Sequence, residues 1–466
     1  MSALEFPKRI MASHGKLSGT SVHFLEFVRK NPKSLDRSSF NVTQWRDELI
    51  TLQPWPTFVG QEMNNQLKEA GTGVCPLIKS IPERVFNNDA ARMAAFFQIP
   101  IDVVTYALAG EDHDHLHNLL ARGDFVLSPQ GLKCLEFNIS SSLGGWRSPL
   151  WEPLYLNTAI LSRFFQEYRV KLYKCNLLDI LFTHLVHGAL DTFPGTPEIN
   201  VAIAGRHIGS RLPEQQFRHI KRIYGQTLKS NHPGLSGEVI FCEFDQLNSV
   251  NDFVMFLDKK IHVVVELYFG EVPRDILRIF LSGNVVLYNG PVSWLLSNKL
   301  NLALLSELEN SDLFDPEERE IIRQYIPWTR KMVEGTVHYG AHRARLADFV
   351  SANKDKLVLK PAHNLGGVGV TVGKFTPLPE WQSVLGRAFS EGNWVVQEYV
   401  ESLPLFYQSG DYGAEEHETV WGIFLFGALY GGSWVRVLSK SRGRGIVNAH
   451  QGAEEGIVLE VEEDER

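Results

Sequence analysis

The chain has 466 residues, of which 44% are hydrophobic, and it carries 10 Trp and 28 Phe. This composition excludes an intrinsically disordered protein, and the length allows about three domain-sized units. The formal net charge of −8 argues against a nucleic acid or an anionic membrane as the main partner, because both require a positive surface field.

The sequence shows no sign of export or membrane insertion. No apolar run reaches the length of a membrane span, and the N-terminus lacks the apolar core of a signal peptide. The cysteines are widely spaced and form no Cys-x-x-Cys pair, so neither a zinc site nor a disulfide framework is predicted. They are Cys75, Cys134, Cys175 and Cys242. We therefore expect a reduced, cytoplasmic protein.

The first part of the chain, to about residue 110, is predicted to be mainly helical and irregular. Hydrophobic periodicity favours helices over Trp45–Gln53 and Ala90–Phe97. Three alternating histidines follow in Glu111–His117, a spacing compatible with a transition-metal site. An acidic loop entering a helix over Leu116–Leu120 is the more frequent outcome of so short a pattern, and we favour the loop.

A β-hairpin is predicted next, with a carboxylate on its first strand and a Glu-x-Asn pair on its second. Ser128–Gly131 has the composition of a turn between two apolar segments. Because alternate side chains share one face of a strand, Glu136 and Asn138 point the same way, and the hairpin can bring Asp124 beside them. Two carboxylates and an amide oxygen are ligands that Mg²⁺ accepts. On these residues alone, a metal site and a solvated hairpin are equally good interpretations.

The middle of the chain alternates between predicted strands and helices. Helices are expected between Pro153 and Leu190, and the alternation begins at Glu198. Such alternation indicates an open α/β sheet. The predicted elements are strands over 199–204, 238–243, 262–269 and 285–288 and helices over 213–224 and 274–281.

A glycine-rich turn in the C-terminal part is a candidate for binding phosphate. An apolar strand ends at Lys360, a turn containing Gly366, Gly367 and Gly369 follows, and Val370–Val372 has the composition of a returning strand. Glycines let backbone amides approach an anion, and a lysine at the base of the turn supplies positive charge. The segment is not a Walker loop, because no helix follows it. A plain hairpin with a flexible turn is the equal alternative.

Three other C-terminal features carry polar groups that could contact a nucleotide. Lys299 precedes an apolar-periodic helix, where a lone lysine is usually solvated. A hairpin over Trp421–Arg436 places Arg436 on its second strand, and the planar fork of arginine suits a phosphate. An apolar strand ends in the polar residues of a possible adenine pocket, namely Gln397, Glu398, Tyr399 and Val400.

In this order, the motifs resemble those of the ATP-grasp superfamily, specifically its circularly permuted branch, which includes the synthetase domain of glutathionylspermidine synthase. Each motif is weak alone, and the ordered set is specific. The resemblance extends over roughly residues 78–450. It rests on Arg122-x-Asp124, Glu136-x-Asn138, Asn298-Lys299, Lys360-Pro with Gly366-Gly-Val-Gly369, Val396-Gln397-Glu398 and Gly431-Gly-x-Trp-Val-Arg436.

The resemblance implies an α/β protein with a circularly permuted ATP-grasp fold and an open α/β sheet domain. The implied activity is an ATP-dependent carboxylate–amine ligase that forms an amide through an acyl phosphate and releases ADP and phosphate. The implied division is a helical region with the metal-binding hairpin over residues 1–195, the open α/β domain over 196–290, and the nucleotide-binding subdomains over 291–466.

The resemblance also implies a role for each candidate residue. Asp124, Glu136 and Asn138 would bind Mg²⁺, Lys299, Lys360 and the glycines Gly366, Gly367 and Gly369 would contact the ATP phosphates, and Gln397, Glu398, Tyr399 and Val400 would lie by the adenine. Arg122 would hold the carboxylate substrate and Arg436 the reacting phosphates.

The sequence also departs from the family pattern. After Glu-x-Asn the family's synthetases often continue with Ala-Asp-Thr-Pro-Thr, whereas this chain has Ile139–Trp146, a loop that we expect to contact substrate. A charged segment around 315–323 lengthens the spacing from Lys299 to Lys360, and no amidase portion is visible. The acid and the amine, whether amino acid, peptide or polyamine, therefore stay open. The alternative functions are an inactive nucleotide-binding scaffold and a small-molecule kinase.

Overall fold

A computed structural model describes residues 7–31, 37–45, 48–109, 119–140, 143–173, 176–205, 213–266, 272–364, 366–410 and 413–462. Its strands are Asn41–Trp45 (β1), Glu48–Thr51 (β2), Thr57–Val59 (β3), Leu120–Ser128 (β4), Gly131–Asn138 (β5), Lys171–Leu172 (β6), Val201–Ala204 (β7), Val239–Cys242 (β8), Asn248–Val250 (β9), Phe253–Phe256 (β10), Lys259–Ile261 (β11), Val263–Glu266 (β12), Val286–Tyr288 (β13), Thr329–Lys331 (β14), Thr336–Tyr339 (β15), His342–Arg345 (β16), Leu357–Pro361 (β17), Thr371–Val372 (β18), Trp394–Glu398 (β19), Leu405–Ser409 (β20), Gly413–Phe426 (β21), Leu429–Ser439 (β22) and Glu454–Glu462 (β23). Its α-helices are Lys8–Gly15, Gly19–Lys30, Gln61–Phe86, Ala90–Phe97, Ile101–Ala109, Glu152–Leu156, Ala159–Tyr168, Leu177–Thr192, Glu214–Asn231, Arg274–Leu281, Val292–Leu296, Leu300–Glu307, Pro316–Tyr325, Leu346–Ala352 and Leu378–Glu391.

The largest sheet has eight strands, and we call it the large sheet. Its main path runs β3-β23-β22-β21-β4-β5, with β20 also paired to β21 and β6 to β23. The pairs are antiparallel except for β23 with β3. The long helix Gln61–Phe86 packs across one face, where a Cβ on Gly71 would lie 2.7 Å from Cγ2 of Ile423. Glycine is therefore needed for this close approach of helix to sheet.

A parallel sheet forms the middle of the chain. Its strand order is β13-β12-β7-β8, and every pair is parallel. Helices Leu177–Thr192 and Glu214–Asn231 bury apolar side chains against one face of this sheet, and Arg274–Leu281 does so against the other. The predicted alternation of strands and helices and the α/β class are therefore confirmed. The helix predicted over 213–224 extends further than expected, to Asn231.

A four-stranded antiparallel sheet with the order β14-β19-β17-β18 belongs to the C-terminal part, and we call it the small sheet. Leu357 and Leu359 pack in one core with the helices Leu346–Ala352 and Leu378–Glu391. Because side chains alternate along a strand, Val358 and Lys360 point to the other side of the sheet. That side faces the large sheet.

Two predictions of local structure are wrong. Trp45–Gln53 does not form a helix, because β1 ends at Trp45 and β2 covers Glu48–Thr51 as its antiparallel partner. The β-branched residues of these strands favour extended backbone. Leu120 begins a strand and so does not end a helix, while Glu111–His117 lies outside the described residues. The helix Ala90–Phe97 is confirmed with its predicted bounds.

The structure was also examined for disulfide bonds, clusters of metal-binding side chains and membrane-spanning helices among the described residues. Cys75, Cys134 and Cys242 are buried free thiols, and Cys175 lies outside the described part of the chain. No cluster of three or more His, Cys, Asp or Glu side chains that could hold a metal ion is found among the described residues. None of the described helices is both long and apolar enough to span a membrane.

Candidate active site

The predicted hairpin is β4 and β5, and its register places the candidate metal ligands opposite one another. Asp124 faces Glu136 across the two strands, and Arg122 faces Asn138. All four side chains project from the face of the large sheet that is opposite the helix Gln61–Phe86. The convergence predicted from alternation is therefore present.

Asp124 is the centre of a buried charged cluster. Arg122 donates to it twice, from Nε to Oδ1 at 2.7 Å and from Nη2 to Oδ2 at 2.9 Å. Arg436, on β22, donates from Nη2 to the same Oδ2 at 2.6 Å. The carboxylate is 2% exposed. The two arginines balance its negative charge. The planar fork of Arg122 therefore binds a protein carboxylate in this structure.

Glu136 pairs with a second buried cation. Nζ of Lys299 lies 3.3 Å from Oε2 of Glu136 and donates to the backbone oxygen of Asn364 at 2.6 Å. Burial alone would raise the pKa of Glu136, but Lys299 and Lys360 lower it to about 2. Glu136 is therefore ionised at neutral pH.

Lys360 is held firmly on the small sheet. Its Nζ donates to Oε1 of Gln397 at 2.6 Å and to the backbone oxygen of Leu135 at 3.1 Å. Nε2 of Gln397 in turn donates to Oγ1 of Thr329 at 3.1 Å. Burial lowers the pKa of Lys360 to about 8, because the charged ammonium is poorly solvated. The ammonium is thus fixed in position but loses its proton more readily than an exposed lysine.

The glycine turn between β17 and β18 forms the predicted hairpin, with Val358 opposite Val372. Gly366, Gly367 and Gly369 all have positive φ, at 64°, 73° and 78°. The backbone of the turn therefore takes a conformation that side chains disfavour. Nδ2 of Asn448 donates to the backbone oxygen of Gly366, so the segment Gly445–Asn448 lies against the turn.

These groups enclose a cavity of about 460 Å³ between the two sheets. The part of its lining that comes from β17, β19 and the glycine turn is called here the small-sheet wall, and the part from β4, β5, β21 and β22 the large-sheet wall. Lys299 and Gly369 do not line the cavity. Lys299 contacts the lining residue Glu136 through an ion pair. The predicted residues that line it are Arg122, Asp124, Glu136, Asn138, Lys360, Gly366, Gly367, Gln397, Glu398, Tyr399, Val400 and Arg436.

Several lining residues were not predicted. Gly445–Asn448 lines the cavity beside the glycine turn. Glu418 lies on β21, and burial raises the pKa of its carboxyl group. Gly445–Asn448 is an irregular segment, so no periodicity marks it in the sequence.

Glu455 is a buried carboxylate next to Arg436 that sequence reasoning missed, and it does not line the cavity. It lies on β23 directly opposite Arg436 and is 7% exposed. Burial raises the pKa of Glu455 to about 7, against the opposing effect of three nearby arginines. The sequence does carry a signal for it, since Glu455 alternates in phase with the buried residues Ile457 and Leu459. A charged residue in the apolar phase of a strand marks a buried carboxylate.

The loop after the hairpin also reaches the cavity. Ser140 and Gly144 line it, and the backbone oxygen of Gly144 accepts from Nη1 of Arg122 at 2.9 Å. Gly145 packs so closely on Trp434 that a Cβ would lie 2.3 Å from Cδ2 of that ring. Two residues of the loop, 141 and 142, lie outside the described part of the chain.

The arrangement offers fixed positive charge in a partly enclosed cavity that also holds carboxylates. Lys360 comes from the small-sheet wall, and Arg122 and Arg436 come from the large-sheet wall. Electrostatic interactions are stronger in such a setting than in water. The cavity is therefore suited chemically to a multiply charged anion accompanied by a cation.

No protein-family model matches the sequence, and a comparison with curated proteins finds no match either. Among solved structures, the chain is similar to a glutathione synthetase-like effector from Globodera pallida, in its apo form. The two share 11% identity with a TM-score of 0.54, over 98% of each chain. At this identity the similarity shows that the two proteins share an α/β fold.

A second similar structure is a provisionally named gamma-glutamylcysteine synthetase from Methylobacillus flagellatus KT. Its identity is 11% and its TM-score 0.41, over 83% of this chain and 87% of that one. A score this low supports no conclusion about the present chain.

Proposed function

We propose that the protein is an ATP-dependent carboxylate–amine ligase of the ATP-grasp superfamily, in its circularly permuted branch. ATP would phosphorylate a substrate carboxylate, and an amine would attack the acyl phosphate to form an amide, with release of ADP and phosphate. The observation that carries this proposal is the cavity between the two sheets, in which buried Lys360 and half-buried Arg436 face Asp124 and Glu136. Its volume lies in the range of small-molecule sites, roughly 300 to 1,000 Å³.

The small-sheet wall would hold the nucleotide. Lys360 stands at the base of the glycine turn, where its ammonium can contact phosphate oxygens beside the backbone amides of Gly366 and Gly367. Tyr399 and the apolar side chains nearby offer a pocket of the kind that accepts an adenine ring. Those apolar side chains are Val126, Leu135, Val358, Val372, Val400, Val420 and Val447.

The hairpin residues fit a magnesium ion. Among the described residues, Oδ1 of Asp124 accepts only from Nε of Arg122, which leaves it a lone pair, and Glu136 is ionised. Nδ2 of Asn138 is buried and has no partner in the described part of the chain. Rotation of that amide would place its oxygen at the same position. A bound Mg²⁺ would neutralise phosphate charge during the transfer.

The two arginines of the large-sheet wall would act at the reacting end. Arg436 already contacts Asp124, so a phosphate held beside that carboxylate would lie within reach of its guanidinium. Arg122 lines the same part of the cavity, and we assign it to the substrate carboxylate. To bind that carboxylate in two hydrogen bonds, Arg122 has to share or exchange its contacts with Asp124.

Product analysis tests the proposal. Purified protein with ATP and Mg²⁺ is incubated with pools of candidate acids, which are the standard amino acids and short peptides, and pools of amines, including polyamines. A ligase releases ADP only when an acid and an amine are both present. ADP release with the acid alone identifies a kinase, and ATP binding without release under any condition identifies a scaffold.

Two variants make this experiment specific. Lys360→Met removes the proposed phosphate contact and should lower ADP release roughly ten- to a hundredfold at ATP concentrations below saturation. Lys171→Met is the matched control, because Lys171 has a 71% exposed side chain paired with Glu462 and does not line the cavity. If neither ATP binding nor ADP release is observed with the wild-type protein, the proposed function is wrong.

A further inference from the structure

Lys299 connects the base of the glycine turn with the large-sheet wall. Its backbone N–H donates to the oxygen of Ala362 at 3.1 Å, and its Nζ donates to the backbone oxygen of Asn364 at 2.6 Å. Both of these acceptors lie between the end of β17 and Gly366. The same Nζ lies 3.3 Å from Oε2 of Glu136 on β5. One ammonium group therefore contacts both the phosphate-binding part and the metal-binding part of the proposed site.

The carboxylate of Glu136 lies between this ammonium and the cavity. The side chain of Glu136 is 23% exposed and lines the cavity, whereas the side chain of Lys299 is 5% exposed and does not line it. Among the described residues, Lys299 is the only cation within ion-pair distance of Glu136. A cation in the cavity can therefore reach Glu136, while the ammonium approaches the same group from its buried side.

Positive charge surrounds the two carboxylates of the proposed metal site. Four cations of the protein interact electrostatically with Glu136, namely Lys299, Lys360, Arg436 and Arg122. The two arginines also hydrogen-bond to Asp124, the other carboxylate. These charges repel a bare divalent cation, and they attract one that arrives with an anion such as ATP.

A lysine ammonium and a divalent cation are alternative partners for one carboxylate. Mg²⁺ binds carboxylate oxygens directly, at about 2.0 to 2.1 Å. A metal on Glu136 and an ammonium 3.3 Å from its Oε2 would repel each other at short range, and this repulsion is stronger in a partly enclosed cavity than in water. The ion pair with Lys299 therefore opposes metal binding at Glu136.

We propose that Lys299 leaves Glu136 when this carboxylate takes a divalent cation, and that its ammonium then turns to an anion at the glycine turn. The inference rests on the proposed function, since it takes Glu136 as a metal ligand. Lys299 can keep its contact with Asn364, so the N–H that it withdraws from Glu136 becomes available to an ATP phosphate beside the turn. Binding of the metal and binding of the nucleotide would then favour each other.

Metal binding in the absence of ATP tests this competition directly. Mn²⁺ serves as the probe, because it accepts the same oxygen ligands as Mg²⁺ and its free concentration is measured by electron paramagnetic resonance. Lys299→Gln removes the charge and keeps a hydrogen-bond donor. The Mn²⁺ affinity of this variant should rise about tenfold, within the usual range of coupling between two sites. A lysine that only supports the structure would not give a gain, because loss of a support weakens a binding site.

A double-mutant cycle shows whether Lys299 acts through Glu136. In a Glu136→Gln background, Lys299→Gln should change Mn²⁺ affinity by less than about twofold, since the contested carboxylate is gone. Lys360→Met is the control for general charge, because Nζ of Lys360 donates to Gln397 and Leu135 and makes no ion pair with Glu136. Its effect on Mn²⁺ affinity should be clearly smaller than that of Lys299→Gln.

A crystal structure of the wild-type protein with bound Mn²⁺ tests the same point if the variants do not fold. Nζ of Lys299 should then lie more than about 4 Å from the Glu136 carboxylate, beyond the distance of an ion pair. An intact ion pair beside Mn²⁺ bound to Glu136 would overturn the inference.

The outcomes separate this inference from the proposed function. Mn²⁺ affinity in Lys299→Gln that is unchanged, lower or too weak to measure would overturn the competition and leave the ligase proposal intact. An equal gain in Lys360→Met would also overturn it, because the effect would then belong to charge in general. If wild-type protein and Glu136→Gln bind Mn²⁺ equally well, Glu136 is not a metal ligand, and the metal assignment of the proposed function fails together with this inference.

Discussion

The two walls of the cavity differ in how completely their polar groups are satisfied. On the small-sheet wall, Lys360 and Gln397 hydrogen-bond to each other and to neighbouring groups. On the large-sheet wall, and on β23 beside it, Nε of Arg436 and Oε2 of Glu455 are buried with no partner among the described residues. Under the proposed function, the satisfied wall would be a preformed phosphate site, and the contacts of the other wall would be completed when substrates bind.

The largest effect is expected where the two walls meet. Glu136→Gln removes one charged ligand of the proposed metal site and leaves buried Lys299 without a charged partner. Mg²⁺-dependent ADP release should fall by more than about a hundredfold, the scale for loss of one electrostatic partner of a transferring group. Steady-state kinetics over a Mg²⁺ series measures this, with circular dichroism to confirm the fold. Normal turnover with normal Mg²⁺ dependence would remove Glu136 from the site.

The small-sheet wall is tested by Lys360→Met. Loss of a charge-assisted hydrogen bond to phosphate costs about 1.5 to 3 kcal/mol, so ATP affinity should fall roughly ten- to a hundredfold. Titration calorimetry measures the affinity, with Lys171→Met as the control. Unchanged ATP affinity in Lys360→Met would show that the ammonium of Lys360 does not contact the ATP phosphates.

The same lysine predicts a pH dependence. The pKa of Lys360 is lowered from 10.5 to about 8, so its charge is present below pH 8 and is lost as the pH rises through that value. ATP affinity should therefore decrease above pH 8 in the wild-type protein. Lys360→Arg keeps its charge at high pH and should show a flatter profile in the same calorimetric experiment. Parallel profiles for the two proteins would assign the pH effect to another group.

The large-sheet wall is tested by Arg122→Lys. Lysine keeps the charge but lacks the fork that makes two hydrogen bonds to a carboxylate. We expect the KM for the acid to rise, or kcat to fall, by about tenfold with ATP affinity unchanged. If the variant instead needs more Mg²⁺ at an unchanged KM for the acid, Arg122 serves to position Asp124.

The smallest expected effect is a change in stability when a glycine is replaced by alanine at a crowded or at an open position. Gly422→Ala forces Trp434 to move and should destabilise the protein by about 1 to 3 kcal/mol, the usual cost of overpacking. Gly225 lies inside the helix Glu214–Asn231, and a Cβ at this position would have no neighbouring atom within 4 Å, so Gly225→Ala should stabilise by about 0.5 to 1 kcal/mol. Urea unfolding of both variants checks the signs, and a Gly422→Ala protein as stable as wild type would show that Trp434 can move without a loss of stability.

Local signals in the sequence predicted the parts of the site that are close together along the chain. The turn Ser128–Gly131 joins adjacent strands, so the placement of Asp124 beside Glu136 follows from the hairpin alone. Alternation also places Arg122 on the same face as Asp124, which is where they pair. The glycine hairpin is predictable for the same reason.

Local sequence patterns do not predict contacts between segments that are distant along the chain. Arg436 meets Asp124 across 312 residues and only because β21 lies between their strands. The helix Gln61–Phe86 was not predicted, since its interior holds Gly71, Pro76 and Pro82, which disfavour isolated helices. Packing on the large sheet stabilises the helix despite its low helix propensity. This packing surface is not evident from the helix sequence alone.

The parallel pairing of β3 with β23 has a consequence for biosynthesis. Val458 pairs with Thr57, which are 401 positions apart (458 − 57 = 401), so the large sheet cannot be completed until β23 leaves the ribosome. Pairings at such sequence separation form slowly and leave strand edges exposed in the meantime. The proposed site depends on similarly late segments, because Arg436 and Gly445–Asn448 line its cavity, so a nascent chain without them would lack the assembled site.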